Sequence, residues 1–477
     1  MTSPFDPGRL SRRTLLRRSA VLATAFGGAG IGALTLAPRS ARAADYRALV
    51  AVYLAGGNDG LNTVVPNDAA GHAQYASVRA GLALPRAALV PLTGIDFGLH
   101  PGLAALAPAW QAGQLAPVFN VGPLPRPLGK AELLAALAGG DASVVPDSLF
   151  SHADQQVLWE NGVTNTQERT GWGGRAMEAV GAGVPVIALG GNARFGISNR
   201  VAPLVLPGPG AELGAFGLRD TDLGLAPFAS RKVVLDAMYA DADDSDLANA
   251  FRRIQRDAFG VARRLSGVVQ VQPGQVAVLG PVDALFAPII GTGLGRQLYQ
   301  IAKLIISRDA MPGDRQIFCA QLDGFDTHSD QVAAGNPTEG THARLLKELG
   351  DALAAFHAAM EAVGFGHQVT TFTQSDFGRT FAPNRSLGTD HGWGNHHLVL
   401  GGAVKGGQSF GRLPEMALGS SDDIGSEPAT QQGRWLPSMS VSQYAATLLT
   451  WFGLDNVALS SALPQWPAFG GVRPAFL

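Results

Sequence analysis

The side chains best equipped for chemistry in this sequence are carboxylates and imidazoles that recur where apolar runs end. Asp376, Asp390, His391, His396 and His397 fall within 22 residues of one stretch, 370–402, which holds three of the chain's ten histidines. Val369, Thr371 and Phe372 belong to a β-prone run that turns polar at Gln374. Asp376 stands where that strand ends, with Gly378 and Arg379 behind it. Asp390 and His391 come before a second strand, 397–401. Each Asp alone reads as an Asx turn. Together, on turns flanking the C-terminal ends of adjacent strands, they read as a site, because ligands of open α/β sheets gather there.

The same pairing of strand and acid occurs twice more. Residues 46–54 (YRALVAVYL) form a continuous apolar run of buried-strand length, broken by a glycine loop that carries Asp59. That loop lacks the lysine of a phosphate-binding loop and the spacing of a dinucleotide fingerprint, so Asp59 reads as a carboxylate ligand or as a plain Asn-Asp-Gly turn. Residues 316–322 (QIFCAQL) run into Asp326 and His328, which are two apart and able to point the same way. Asp and His together suit Zn²⁺, Mn²⁺ or Fe²⁺. Two such ions would need about five or six ligands of this kind and could clamp a phosphoryl or sulfuryl group. Asp59, Asp326, His328, Asp376, Asp390 and His391 are therefore the candidate metal ligands, for one ion or two.

Elements between these turns add candidates of another kind. Ser151 begins the helical pattern SHADQQVLWEN, as a cap or as a nucleophile at the positive end of a helix dipole. His152 is placed to reach the same space or to lie exposed. Arg175, at the start of a further helix, and Arg379 are candidate anion-holding groups. Helices are expected over 99–112, 148–161, 297–306, 342–361 and 440–452, and further strands over 115–121 and 184–189. His342 and His357 read as surface residues. Residues 190–280 lose the pattern and suggest a cap or loop-rich insertion around a charged helical region, 236–265.

Composition sets outer limits. The chain has 477 residues, 46% hydrophobic and 16% charged, with 61 Gly and 30 Pro, which suits a large core joined by many turns. Residues 1–43 place Arg12-Arg13 before a weakly apolar Gly/Ala stretch and a small-x-small cleavage site at 41–43, the arrangement of a twin-arginine export signal. That predicts a periplasmic or secreted protein carried by the twin-arginine machinery, with residues 44–477 as one mature domain. No other run is long and apolar enough for a membrane span. Without residues 1–43 the chain keeps 29 Lys and Arg against 37 Asp and Glu, so its net charge moves from −2 to −8 and nucleic-acid binding through phosphates is disfavoured. The one cysteine, Cys319, excludes an internal disulfide and reads as a core residue. Flavin, haem and iron–sulfur signatures are missing from the sequence.

Several segments together carry a resemblance: SRRTLL, LAGGNDGLNTVVP, LHPGLAAL, SHADQQVLWENG with TGWGGR, GFDTH, and SDFGRT with GTDHGWGNHHLVLGGAVKGG. The chain resembles the exported bacterial proteins grouped as domain of unknown function 1501, and through them the alkaline phosphatase and sulfatase superfamily. That resemblance implies an α/β domain with a doubly wound, mostly parallel sheet and a metal site at the strand ends. Under it Asp59 resembles the first-strand metal acid, and Ser151 takes the nucleophile's place in chain order. Asp326 and His328 resemble the ligand pair of one metal, Asp376 an acid of the other, and His391 the last histidine, with His396 and His397 as rivals. Three features depart from the superfamily. Phe377 stands where an Asp-His dipeptide would have its histidine, Asp326 and His328 are closer than usual, and no Cys- or Ser-x-Pro-x-Arg exists to make formylglycine. The expectation is an exported metal-dependent hydrolase of phosphate or related esters, small or polymer-borne. The alternative is a non-catalytic binding or assembly protein on the same fold.

Overall fold

The apolar run at residues 46–54 becomes a central strand of the molecule. In the computed structural model, which describes residues 46–181, 184–190, 194–219, 221–240, 245–311, 313–425 and 431–477, strand β1 (Arg47–Ala55) is buried on both faces. The export signal expected over 1–43 lies outside the described residues. In chain order the other strands of the main sheet are β2 (Leu115–Gly122), β3 (Ile187–Ala188), β4 (Leu204–Val205), β5 (Arg315–Asp323), β6 (Val369–Ser375), β7 (Asn395–Leu400) and β8 (Met439–Ser440). The principal helices are α1 (His152–Asn161), α2 (Trp172–Ala179), α3 (Ala226–Ala240), α4 (Asp246–Val269), α5 (Gly293–Ile306), α6 (Thr341–Ala362) and α7 (Val441–Phe452).

The eight strands lie in the order β8-β2-β7-β6-β1-β5-β3-β4. β1 pairs in parallel with β5 and β6, while β7 runs antiparallel to both β6 and β2. This α/β protein therefore has a mixed, mostly parallel sheet flanked by helices. The antiparallel β7 corrects one expectation. Asp376 leaves the C-terminal end of β6, but Asp390 and His391 precede the N-terminal end of β7, and only the reversal of β7 brings both turns to one edge.

Alternation along β1 supplies two cores. Ala48, Val50 and Val52 face α5 and α6 through Leu298, Ile301, Leu349 and Phe356, while Leu49, Ala51 and Tyr53 face α2 and α7 through Trp172, Ala445 and Leu448. Each fully buried aliphatic side chain contributes about 1.5–3 kcal/mol. α7 starts with a reciprocal capping box between Ser440 and Gln443. Cys319 is buried, as its apolar run predicts. The expected strand 184–189 shortens to β3, and His342 proves to be buried, with its Nε2 donating to Asn58 Oδ1 at 2.9 Å. α6 is covered on more than one side, so its polar positions do not all meet solvent. Within 190–280 the helical region is α3 followed by α4. Among the described residues no helix is long and apolar enough to cross a membrane.

Candidate metal centre

Three chain segments converge at the sheet edge where β1, β5 and β6 end. The first is the exit from β5, Asp323-Gly324-Phe325-Asp326-Thr327-His328. It is held against the exit of β1 by the Phe325 N–H donating to the Ala55 carbonyl at 3.0 Å. Their closeness depends on Gly56, which has φ +110°; a Cβ there would lie 2.3 Å from Asp326 N. The second segment is the start of α1. Ser151 is its N-cap, accepting from Asp154 N at 3.5 Å, and His152 is the first helical residue. The third is the turn before β7, bearing Asp390 and His391.

The side chains from these segments point at one another. His152 Nε2, His328 Nε2 and His391 Nε2 lie 3.1, 3.2 and 3.6 Å from Asp326 Oδ1, and His328 Nε2 is 2.8 Å from His391 Nε2. All four ligand atoms sit within 4.8 Å of one another. Ligands at 2.0–2.1 Å from a tetrahedral zinc would be about 3.3 Å apart, so the four atoms describe a shell of the right size for one ion.

The opposite ring nitrogens determine what those atoms offer. His152 Nδ1 donates to Asp376 Oδ2 at 2.6 Å, His328 Nδ1 to Asp390 Oδ1 at 2.8 Å, and His391 Nδ1 to the Phe150 carbonyl at 2.7 Å. Each acceptor is an oxygen with no hydrogen to give, so each Nδ1 carries a proton and Nε2 is the ring nitrogen left to face an ion. Three Nε2 atoms and a carboxylate oxygen then face one small volume, the donor set of a divalent-ion site. His152 Nε2 is buried and makes no hydrogen bond of its own. Imidazoles fixed by carboxylates and a carbonyl are the usual second layer of a metal site.

Electrostatics keep the group ready for an ion. Burial pulls the His391 pKa down to about 4, with Arg379 and the neighbouring histidines adding to the fall against the Phe150 hydrogen bond. Burial tends to raise the Asp326 carboxyl, but the hydrogen bond and charge of Arg379 outweigh it, and the carboxyl sits below the usual range. Asp390 is likewise held low, because hydrogen bonds from His328, Asn384 and Gln432 exceed its burial. The opening is on the Asp326 side, whose side chain is 50% exposed, and His328 is 44% exposed.

The backbone supporting this arrangement is unusual at Phe150, a non-glycine residue at φ +82°. That conformation turns its carbonyl to His391, and its ring lies 4.2 Å beneath the Arg434 guanidinium. Phe377, fully buried, stacks on both His152 and His391 with ring centroids 4.6 Å away. The position that the superfamily resemblance would give to a histidine here forms an apolar floor.

Other expected ligands are placed elsewhere. Asp376 accepts from Gly56 N at 3.0 Å and from Gly57 N at 3.3 Å, and it stands behind His152. Asp390 stands behind His328. Asp59 is not brought to the cluster: it is wholly buried, ion-paired to Arg79 and bonded by Gln331. Arg379 spends its donors on Asp326 and the carbonyls of Gly56, Gly57, Phe325 and Thr389. Arg175 is buried against the carbonyls of Asn161, Thr170 and Ala462. Arg175 holds backbone together, and Arg379 ties backbone to Asp326 of the cluster. His396 and His397 lie inside the sheet, their pKa values pushed by burial to about 4 and about 3. His152 is the member of the cluster that the sequence did not single out as a candidate ligand. Its signal is its place one residue inside a helix, next to the capping Ser151.

Residues 285–459 match the family described as "Protein of unknown function (DUF1501)", which supports that part of the resemblance. The matched segment contains Asp326, His328, Asp376, Asp390 and His391 but not His152. No match was found among curated proteins.

Proposed function

We propose that this protein is a metal-dependent hydrolase of phosphate or related esters, built around one divalent ion held by His152, Asp326, His328 and His391. The observation that carries the reading is the set of three Nδ1 protons committed to Asp376, Asp390 and the Phe150 carbonyl, which turns three Nε2 atoms toward Asp326. A divalent ion bound there supplies Lewis acidity toward an ester oxygen. The protein's own residues do the rest. Asp376 and Asp390 fix two rings in the metal-binding tautomer, Phe377 excludes water from one side, and the exposed flank at Asp326 and His328 admits an ester. The N-terminus of α1, with Ser151 as candidate nucleophile, offers its positive end to developing negative charge.

Placement of acids and histidines at one end of a mostly parallel sheet supports a likeness to the alkaline phosphatase and sulfatase superfamily. The twin-arginine leader supports an exported enzyme. A second reading, a non-catalytic binding or assembly protein with a single structural ion, is favoured by Asp59, the acid that resembles a metal ligand but is taken up by Arg79.

Metal content of the purified protein, measured beside His152→Ala and His328→Ala with turnover of p-nitrophenyl phosphate and other esters, separates these readings. One ion per chain, lost in both variants together with turnover, is the expected result. An ion without turnover selects the binding protein. Failure to bind Zn²⁺, Mn²⁺ or Fe²⁺ at all overturns the metal centre itself.

A further inference from the structure

Behind the metal centre, two buried oxygens make no hydrogen bond within the chain: the Tyr53 hydroxyl of β1 and Oε2 of Glu160 on α1. Their residues are 6 and 3% exposed. An unpaired polar atom sealed from solvent is costly. Two of them facing one region mark a partner that the side chains themselves do not supply.

Both atoms are brought there by elements that also hold the centre. α1 places His152, Gln156 and Glu160 four residues apart, along one side of the helix. Gln156 spans part of that distance, its Nε2 donating to Glu160 Oε1 at 3.0 Å. On the sheet, β1 and β6 pair in parallel with Tyr53 opposite Gln374 and Leu54 opposite Ser375, so Asp376 leaves β6 near the Tyr53 end of β1. Tyr53 turns to the core that also contains Trp159 of α1. Two carboxylates act on its hydroxyl: burial first, then the charges of Asp376 and Glu160, hold its pKa well above the usual range. Burial likewise raises the Glu160 pKa to about 7, with Asp376 adding to the rise against the Gln156 hydrogen bond and the charge of Arg194.

Tyr53 thus has one hydrogen to give and two carboxylates near it, neither of which meets the hydroxyl in a direct hydrogen bond. A water closes such gaps. It can accept from the phenol and donate to both acids, and enclosed waters typically hold about three hydrogen bonds. Asp376 has room for one more donor, since a carboxylate offers about four acceptor sites and those in use are filled by His152 Nδ1 and the Gly56 and Gly57 amides. We infer that Tyr53 and Glu160 are positioning residues of the metal centre, holding an enclosed water that fixes Asp376 and, through Asp376, the ring of His152. Their role rests on the metal centre proposed above. Glu160 lies about two helical turns from His152, so substituting it leaves the ligands themselves untouched.

Competition with a chelator, run beside thermal unfolding of the full chain, tests that role with Zn²⁺ as the probe. Tyr53→Phe and Glu160→Leu should each weaken Zn²⁺ binding by up to about tenfold, the low end for groups behind metal ligands, with the unfolding midpoint kept. Glu160→Gln, which can still bond the water, should retain most of the affinity. In an Asp376→Asn background Tyr53→Phe should cost nothing further, because both act on the same ring. Wild-type affinity in Tyr53→Phe and Glu160→Leu, or losses that add in full to that of Asp376→Asn, would overturn the assignment and leave the metal centre standing. So would losses that only follow a fallen midpoint. A wild-type chain that binds no Zn²⁺, Mn²⁺ or Fe²⁺ overturns the centre itself, and the assignment with it.

Discussion

Two groups of charged side chains sit near the same edge of the sheet, and they solve the burial of an acid in opposite ways. Asp59 leaves β1 into the interior, where Arg79 and Gln331 bind its carboxylate and Arg79 also donates to the Thr380 and Phe381 carbonyls at 2.9 and 3.0 Å. That group supplies its own cation. Asp326 leaves β5 toward solvent, has Arg379 on one side and receives three imidazoles on the other. Those imidazoles turn their Nε2 atoms to it and spend Nδ1 on other acceptors. Both acids have an arginine, but Asp59 is wholly enclosed with its partner while Asp326 keeps an exposed flank open to a ligand.

The largest effect should come from removing ligands. His152→Ala, His328→Ala and Asp326→Asn should each abolish stoichiometric ion binding, measured by elemental analysis after dialysis, whereas Asp59→Asn should leave the ion in place. An Asp59 variant that lost the ion while still folded would erase the contrast between the groups.

Arg79→Met acts on the other side of the comparison. It strands a buried carboxylate, so unfolding free energy in urea should fall by about 3–5 kcal/mol. The Arg79→Met/Asp59→Leu double variant should recover most of that loss, because both charges are gone. Metal content per folded chain should not change in either.

Orienting residues should matter less than ligands. Asp390→Ala and Asp376→Asn should weaken the ion by about 10–100-fold in competition with a chelator, while His328 and His152 stay in place. Equal affinity in these variants would mean that the histidine tautomers are not set as the hydrogen bonds indicate.

The smallest effect is a pH slope. Burial holds His100 and His342 neutral with pKa values of about 3, aided at His342 by the charge of Arg79 and Arg379. Unfolded, each would titrate near 6.5. Because the folded pKa is the lower one, the unfolded chain takes up protons first. Stability is full above about pH 6.5 and falls as pH drops toward the folded value, by up to about 1.4 kcal/mol per pH unit for each histidine. His342→Gln should flatten the dependence of the urea midpoint on pH, and an unchanged slope would remove His342 from the account.

Much of the fold was legible because local patterns and tertiary needs agree. β1, β2, β5 and β6 are apolar runs of strand length, α6 buries the expected stripe of Leu345, Leu349, Leu353, Phe356 and Met360, and α1 starts at the expected cap, Ser151. The acids at strand ends were legible for the same reason, since a strand buried on both faces can turn polar only as it emerges. The division of labour among those acids was not. Asp376 and Asp390 have the chemistry of ligands and the position of supports, a difference that depends on which atom of a histidine faces them. Asp59 escaped because its partner, Arg79, lies in a short helix that shows no charge pattern.

Residue type and spacing alone determined that Asp326, His328 and Asp376 stand where buried strands end and that Asp390 and His391 stand in a turn before another, because period, turn chemistry and burial are local properties. Only the tertiary structure decided that β7 is reversed, that His152 enters from α1, and that Arg79 withdraws Asp59. His152 and Asp376 meet across 224 residues and Arg79 and Asp59 across 20, and at either separation charge compensation is written in contacts that no helix or strand period encodes.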